Sequence, residues 1–339
     1  MQAKRLNPLR RFFAIRGMVS AMIAFAALIV IYIVFGLREP NVFSATNVQN
    51  LLRSMSKYLI IGIGQSYLLI TGNIDLSLGS VVGMSAMISA TMMTHGVHPL
   101  LAALVALIAC LMIGLINGLL VGKAQLPPFI ATLGTMFTAR GIGYMINGNR
   151  NTDAIASGIG KEAGDAFQNV FYYGKTLGVF NTFLVAVAVF IVFFFLLSKT
   201  RTGRHIYAIG SNVDAAKLSG VSVFATTTKA YMVSAFCAFV VGLILCAQAG
   251  MGNMEAGNTY EMYAVAAGVI GGISPLGGTG LLLGTFAGAA VWQTLENGLN
   301  MIGAQVGLQR IVIGVIVVFS VLLDVVVRRG TRRRNKLNL

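Results

Sequence analysis

The chain has 339 residues, 56% of them hydrophobic and only 10% charged, with a mean hydropathy of +0.80. Soluble domains carry about 25% charged residues, so this composition excludes a water-soluble globular protein. The apolar runs are continuous rather than alternating, which excludes a transmembrane barrel, and the net charge of +15 must be explained by something other than a soluble basic surface.

The first apolar run follows a basic start, as in a signal peptide, but its nineteen or so residues are too many for a typical apolar signal core. It is read as an uncleaved first span. A bilayer core needs roughly 20 apolar residues per helix. On that basis ten spans are predicted, at about 18–36, 58–71, 76–94, 100–122, 128–147, 178–198, 226–249, 262–274, 279–300 and 306–327. The fold class is all-α, a polytopic helical membrane protein with about ten transmembrane helices and both termini cytoplasmic. Residues 1–17 and 328–339 form basic tails around a transmembrane domain at 18–327.

Charge sets the orientation. With the N-terminus inside, seventeen of the 25 Lys and Arg fall on one side: in the N-terminal tail, at Lys123, between Lys199 and Lys229, and in the C-terminal tail. The positive-inside rule makes that side cytoplasmic. The net charge therefore reports membrane orientation, and no nucleic-acid partner is expected. Cys110, Cys237 and Cys246 lie inside apolar runs and act as small hydrophobes. They have no metal or disulfide spacing. His95, His98 and His205 are read as surface residues.

In chain order, the second predicted span is short and breaks at Gly72-Asn73, and the eighth breaks at Gly271-Gly272 and Ser274-Pro275. Interrupted helices leave backbone groups that lipid cannot satisfy, and such breaks often mark transport sites. Asp75 follows the first break. It is either a gate residue or a cap on the third helix. Asn117 lies within Gly114-xxx-Gly118-xxx-Gly122, a close-packing pattern. Gln65, Ser66, Asn117, Gln293 and Asn297 supply amides and hydroxyls for a polar pathway suited to a neutral solute. Arg140 and Glu296 fall at similar depths and can pair. A largely polar external loop, 148–177, has a small-residue middle that can form a surface helix.

Between spans six and seven, within a cytoplasmic loop at about 199–225, lies "YAIGSNVDAAKLSG", residues 207–220. Ser211 and Asp214 have N-cap spacing, and Asp214 and Lys217 suit the two ends of a helix dipole. Gly220 suits a left-handed C-terminus. Val213, Ala215, Ala216 and Leu218 give the helix a small apolar surface. A helix of about two turns is unstable alone, so it docks either on its own domain or on a partner.

The stretch "RTGRHIYAIGSNVDAAKLSGV", residues 201–221, closely resembles the cytoplasmic loop of permeases from sugar-importing ABC transporters, the ribose/galactoside/xylose branch. "GNIDLSLGS" (72–80), "INGLLVGKAQLPPFIATLGTM" (116–136) and "GVIGGISPLGGTG" (268–280) resemble further motifs of that family, in its order. Asn73 departs from it, standing where glycine is usual. The resemblance implies a coupling helix resting in a groove of a cytoplasmic ATPase, with Gly210, Ser211, Asn212, Asp214, Ala215, Ala216, Leu218 and Gly220 in that loop. The two helix breaks, rather than the resemblance, make Asn73, Asp75, Ser77, Gly79, Gly272, Ser274, Pro275 and Gly277 the expected pathway or gate residues. The resemblance also implies a sugar-binding protein on the outer face, a second permease copy or a paralogue completing a dimer, and a bacterial inner-membrane location. No Walker A sequence is present. "LSG" at 218–220 lacks the Gly-Gln of an ATPase signature, and "GLLVGKA" at 118–124 lacks the glycine spacing and the Ser or Thr after Lys. No cofactor is expected on this chain, and ATP and Mg belong to the partner. The reading is a non-catalytic permease subunit of a monosaccharide importer. The alternative is a secondary transporter or facilitator working alone, although no cluster of midplane acids of the kind a coupled carrier needs is present.

Overall fold

The computed structural model describes residues 17–305 together with 307–309, 311–312, 314–315, 318 and 322. The basic tails and most of the predicted tenth span lie outside the described residues.

Helix α1 covers Met18–Arg38. A short 3-10 turn at Pro40–Phe43, capped by Glu39, leads into α2, Ala45–Thr71. Helices α3, Leu78–Thr94, and α4, Pro99–Gly122, follow, then α5, Pro128–Met145. Two short helices, α6 at Ala156–Ile159 and α7 at Lys161–Gln168, occupy the middle of the 148–177 loop. A π turn at Asn169–Tyr173 and a two-residue antiparallel hairpin complete it, with β1 at Lys175–Thr176 and β2 at Val179–Phe180. The rest is helical: α8, Asn181–Lys199; α9, Arg201–Ser211; α10, Val213–Leu218; α11, Val223–Ala249; α12, Tyr260–Ile270; and α13, Leu282–Met301.

Four helices, α1, α4, α8 and α11, are long and apolar enough to cross a membrane by length and composition. The centre of the bundle is α2. Every residue from Tyr58 to Thr71 is buried, ringed by α8, α11, α12 and α13. The expectation of a short second span is corrected here. The helix starts at Ala45, where Ser44 accepts from the Asn47 amide at 3.2 Å. Its first turns are polar, and so escape a hydropathy window, but Leu51 and Met55 keep one face buried.

The glycine ladder of α4 does what its spacing suggests. A Cβ at Gly114 would meet the backbone at Tyr231 and Met232, at Gly118 that of Thr228, and at Gly122 that of Phe224. The α4 backbone thus lies directly against α11, a contact that side chains would hold apart.

The segment 250–259 joins α11 to α12. It descends along α3. A Cβ at Gly252 would touch Ala90, and one at Gly257 would touch the Gly79 carbonyl and Val82. From Ala90 to Gly79 is eleven residues of α3, about 16 Å of helix. Helix α12 therefore starts deep in the bundle, beside the first turn of α3. The hydropathy of the segment gave no sign of this; its small residues, Gly250, Gly252, Ala256 and Gly257, were the available signal.

Candidate functional site

The amphipathic spacing of α9 buries Gly203, Ile206 and Ile209 and exposes Arg201 and Arg204. The helix is thereby pressed onto the bundle at the point where α2 ends. There three backbones meet. The Gly278 amide donates to the Ile70 carbonyl at 2.8 Å, and Gly210 packs against both groups. A Cβ at Gly210 would overlap them. Gly277 and Gly278 take φ values of 86° and 74°, a left-handed conformation costly for other residues. Tyr207 donates its hydroxyl to the Gly280 carbonyl at 2.7 Å. Burial pushes the Tyr207 phenol up to about 12, so it remains a donor across the neutral range. One helix thus touches both the end of α2, just before the first break, and the second break at 271–281.

Helix α10 follows at once. Its cap is Asn212, whose Oδ1 accepts from the Ala215 amide at 2.9 Å. Ser211, the expected cap, is the last residue of α9. Asn212 takes the extended φ of −165° that an N-cap needs, so the start of the helix moves on by one residue. Asp214 and Lys217 form an exposed ion pair at 3.9 Å. Gly220 takes φ 78°, and the Val221 amide returns to the Ala216 carbonyl at 3.0 Å. The four apolar residues do not share one face. Ala216 is buried against the protein, whereas Val213, Ala215 and Leu218 point outward, Leu218 at 91% exposure. His205, expected at the surface, is half-buried.

In the first break, Asp75 is both a cap and a buried acid. Its Oδ1 accepts from the Ser77 amide at 2.9 Å and the Ser77 hydroxyl at 2.5 Å, at the start of α3. Its Oδ2 accepts from Ser234 of α11 at 2.7 Å. The chain of donors continues. Asn117 Nδ2 donates to Ser77 Oγ at 3.0 Å, and Thr135 Oγ1 donates to Asn117 Oδ1 at 2.7 Å. Tyr231 donates to the Ile74 carbonyl at 3.0 Å. Four helices are thus tied to one carboxylate, with every donor in the chain oriented toward it. The Asn73 side chain donates to Thr71 Oγ1 at 2.8 Å, and its backbone amide donates to the Leu68 carbonyl at 2.9 Å.

The second break is a tight turn. Ser274 is fully buried, its amide donates to the Thr279 carbonyl at 3.1 Å, and its hydroxyl accepts from the Leu276 amide at 3.2 Å. Pro275 and Leu276 protrude, and Gly272 takes φ 83° with Ser20 of α1 against it. Gly79 lies elsewhere, beside Gly257 and the Glu261 carboxylate.

The expected polar pathway residues do not line one lumen. Asn117 belongs to the Asp75 network. Asn297 exchanges two amide bonds with Asn47, at 3.1 and 3.0 Å. Gln293 is buried, and Ser66 pairs with Thr285 at 2.8 Å. Gln65 is fully buried, with neither amide atom partnered among the described residues. Arg140 and Glu296 do not pair. Arg140 Nη1 donates to the carbonyls of Met254 and Ala256, at 3.1 and 2.8 Å, and so pins the descending segment; Glu296 accepts from Tyr58 at 3.0 Å. Sequence reasoning missed α9, whose buried residues at 203, 206 and 209 carry a helical period inside a basic loop.

Residues 47–321 match the family described as branched-chain amino acid transport system / permease component. The chain belongs to this family. It is 34% identical over 325 residues to the ribose import permease protein RbsC of Bacillus subtilis (strain 168), covering 96% of this chain and 98% of that one. It is 32% identical over 303 residues to the D-allose transport system permease protein AlsC of Escherichia coli (strain K12), covering 88% and 90%. It is 34% identical over 315 residues to the galactose/methyl galactoside import permease protein MglC of the same organism, covering 88% and 92%. No solved structure matches the chain. The membrane permease assignment thus rests on nearly the whole length of the chain.

Proposed function

We propose that this chain is the membrane-spanning subunit of an ATP-driven, binding-protein-dependent importer of a monosaccharide, a ribose-like pentose, a hexose or a related polyol. The observation that carries the reading is the junction at Gly210, where a cytoplasmic helix continuous with a small outward-facing helix is packed backbone to backbone on both helix breaks. The family description names branched-chain amino acids, but the full-length relatives named above are sugar permeases. They support a sugar as the substrate class.

In this reading the transmembrane domain runs from 18 to 327 in ten spans, both basic tails are cytoplasmic, and the 148–177 loop faces a sugar-binding protein. The chain binds no nucleotide. A separate ATPase receives Val213, Ala215 and Leu218 of α10, and a second permease completes the assembly in the bacterial inner membrane. Displacement of α10 pulls α9, and α9 carries the ends of α2 and of the 271–281 turn with it. The pathway therefore opens or closes where Asp75 and Ser274 are now buried.

Reconstitution tests the reading. Vesicles holding this chain alone should show no uptake of labelled ribose, galactose or allose. Vesicles holding the chain with its ATPase and binding protein should accumulate one of them when ATP is supplied. Uptake by the chain alone would identify a facilitator instead.

A further inference from the structure

Four aromatic rings from three helices meet in the interior of the bundle. Tyr58 of α2 lies 5.6 Å from Tyr263 and 6.1 Å from Tyr260 of α12, and 6.3 Å from Trp292 of α13, centroid to centroid. Tyr263 and Trp292 are 5.0 Å apart. Tyr58 precedes the cytoplasmic end of α2 at Thr71 by thirteen residues, which places it about 20 Å into the bundle. The cluster therefore sits where α12 begins, at the foot of the descending 250–259 segment.

This is not an interfacial aromatic belt, whose rings sit at the headgroup level. Tyr58 and Trp292 are each only 5% exposed. Nor is it a closed core, because Tyr260, Tyr263 and Glu296 stay half-buried. Neither the Tyr260 nor the Tyr263 hydroxyl makes a hydrogen bond among the described residues. Glu296 Oε2 accepts from Tyr58 at 3.0 Å, while its other oxygen has no partner among them. Lys57 Nζ lies 5.8 Å from the centre of the Tyr58 ring. A cation and an anion thus approach the same ring, yet the only ion pair among the described residues is Asp214–Lys217. An aromatic wall with a few convergent, unspent polar groups is how small-molecule sites are built.

We propose that Tyr58, Tyr260, Tyr263, Trp292 and Glu296 form a binding site within the permease for a neutral monosaccharide. The rings take the sugar's C–H face, and Glu296 and the two free phenols take its hydroxyls. This proposal rests on the reading of the chain as a sugar permease and adds a place where the sugar pauses. The wall is apolar and the only fixed acceptor is one carboxylate, so binding is weak enough for release.

Trp292 is the only tryptophan of the chain, so its fluorescence reports on this site directly. The purified chain in lipid nanodiscs is titrated separately with D-ribose, D-galactose, D-allose and L-leucine. A saturable change in emission with at least one sugar, and none with leucine, is expected. Tyr263→Phe keeps the ring and loses one hydroxyl contact, so it should still respond, with a half-saturation raised less than in Tyr263→Ala; circular dichroism checks that each variant is folded. Tyr263→Ala and Glu296→Gln each raise the half-saturation concentration about tenfold. Flat emission with all three sugars, or unchanged half-saturation in both variants, overturns the site. ATP-driven uptake by the assembled importer is measured in parallel. Uptake with flat emission removes the site and leaves the importer standing, whereas absence of uptake for every monosaccharide removes the importer reading itself.

Discussion

Replacing Gly210 by valine should uncouple the two helix breaks from α9 and α10. A Cβ at this position would overlap the Ile70 carbonyl oxygen and the Gly278 amide, two groups that are bonded to each other at 2.8 Å. Neither is a flexible side-chain tip, so α9 must lift off or the bond must break. Overpacking of this kind costs about 1–3 kcal/mol, and a buried backbone bond left unmade costs about another 1–3 kcal/mol. The Gly278 amide is the direct readout. Its hydrogen exchange should accelerate strongly in the variant, while the amides at the middle of α11 remain protected. In vesicles with the ATPase and binding protein, the variant should hydrolyse ATP without accumulating sugar. Gly210→Val with wild-type exchange at Gly278 and wild-type uptake would refute the junction as the link.

Leu218→Ala should leave the folded chain as stable as the parent, because the side chain is 91% exposed. It should weaken association with the ATPase by roughly ten- to hundredfold, as expected for one buried leucine of about 1.5–3 kcal/mol; a pull-down titration checks this. Asp75→Ala strands the Ser77 amide and the hydroxyls of Ser77 and Ser234. At about 1–3 kcal/mol for each unsatisfied group, it should lower the thermal midpoint far more than Asp75→Asn, which keeps one acceptor oxygen. Tyr207→Phe removes the bond to Gly280 and should cost about 1 kcal/mol. The Tyr207 pKa is raised in the folded chain to about 12. Its contribution is therefore fully present below the ordinary tyrosine value of about 10 and lost as pH rises through about 12. The stability difference between parent and variant should be constant from pH 6 to 9, as followed by thermal melts.

Much of this architecture was legible in the sequence because lipid imposes simple rules. Apolar runs marked the four helices long and apolar enough to cross a membrane, glycine spacing marked α4 as close-packed without naming its partner, and Gly72 and Gly271–Gly272 marked the breaks. What escaped reading depended on polar residues that are helical only because of tertiary packing. The first turns of α2 carry Thr46, Asn47, Gln49, Asn50 and Arg53 and fell below any hydropathy threshold, yet Leu51 and Met55 anchor them. The α10 cap moved from Ser211 to Asn212 because α9 extends through Ser211, a boundary that capping residues alone do not fix. Arg140 and Glu296 matched in depth, but depth says nothing about azimuth, and each faces a different neighbour. The descent of 250–259 depends on Arg140 meeting two backbone carbonyls, a partnership that residue types do not announce.

The central claim is that nucleotide-driven movement of α9 and α10 opens buried positions at both breaks. Ser274 and Leu76 are buried at the two breaks, and Leu76 makes no side-chain hydrogen bond that its replacement would disturb. With Cys110, Cys237 and Cys246 replaced by alanine, single cysteines at Ser274 and Leu76 can be challenged with a small water-soluble thiol reagent in the assembled importer. Labelling from the cytoplasmic side should differ between the nucleotide-free and ATP-trapped states at both positions, and Gly210→Val should abolish the difference. If neither cysteine reacts in any state while sugar is still imported, the breaks serve packing alone and the account is contradicted.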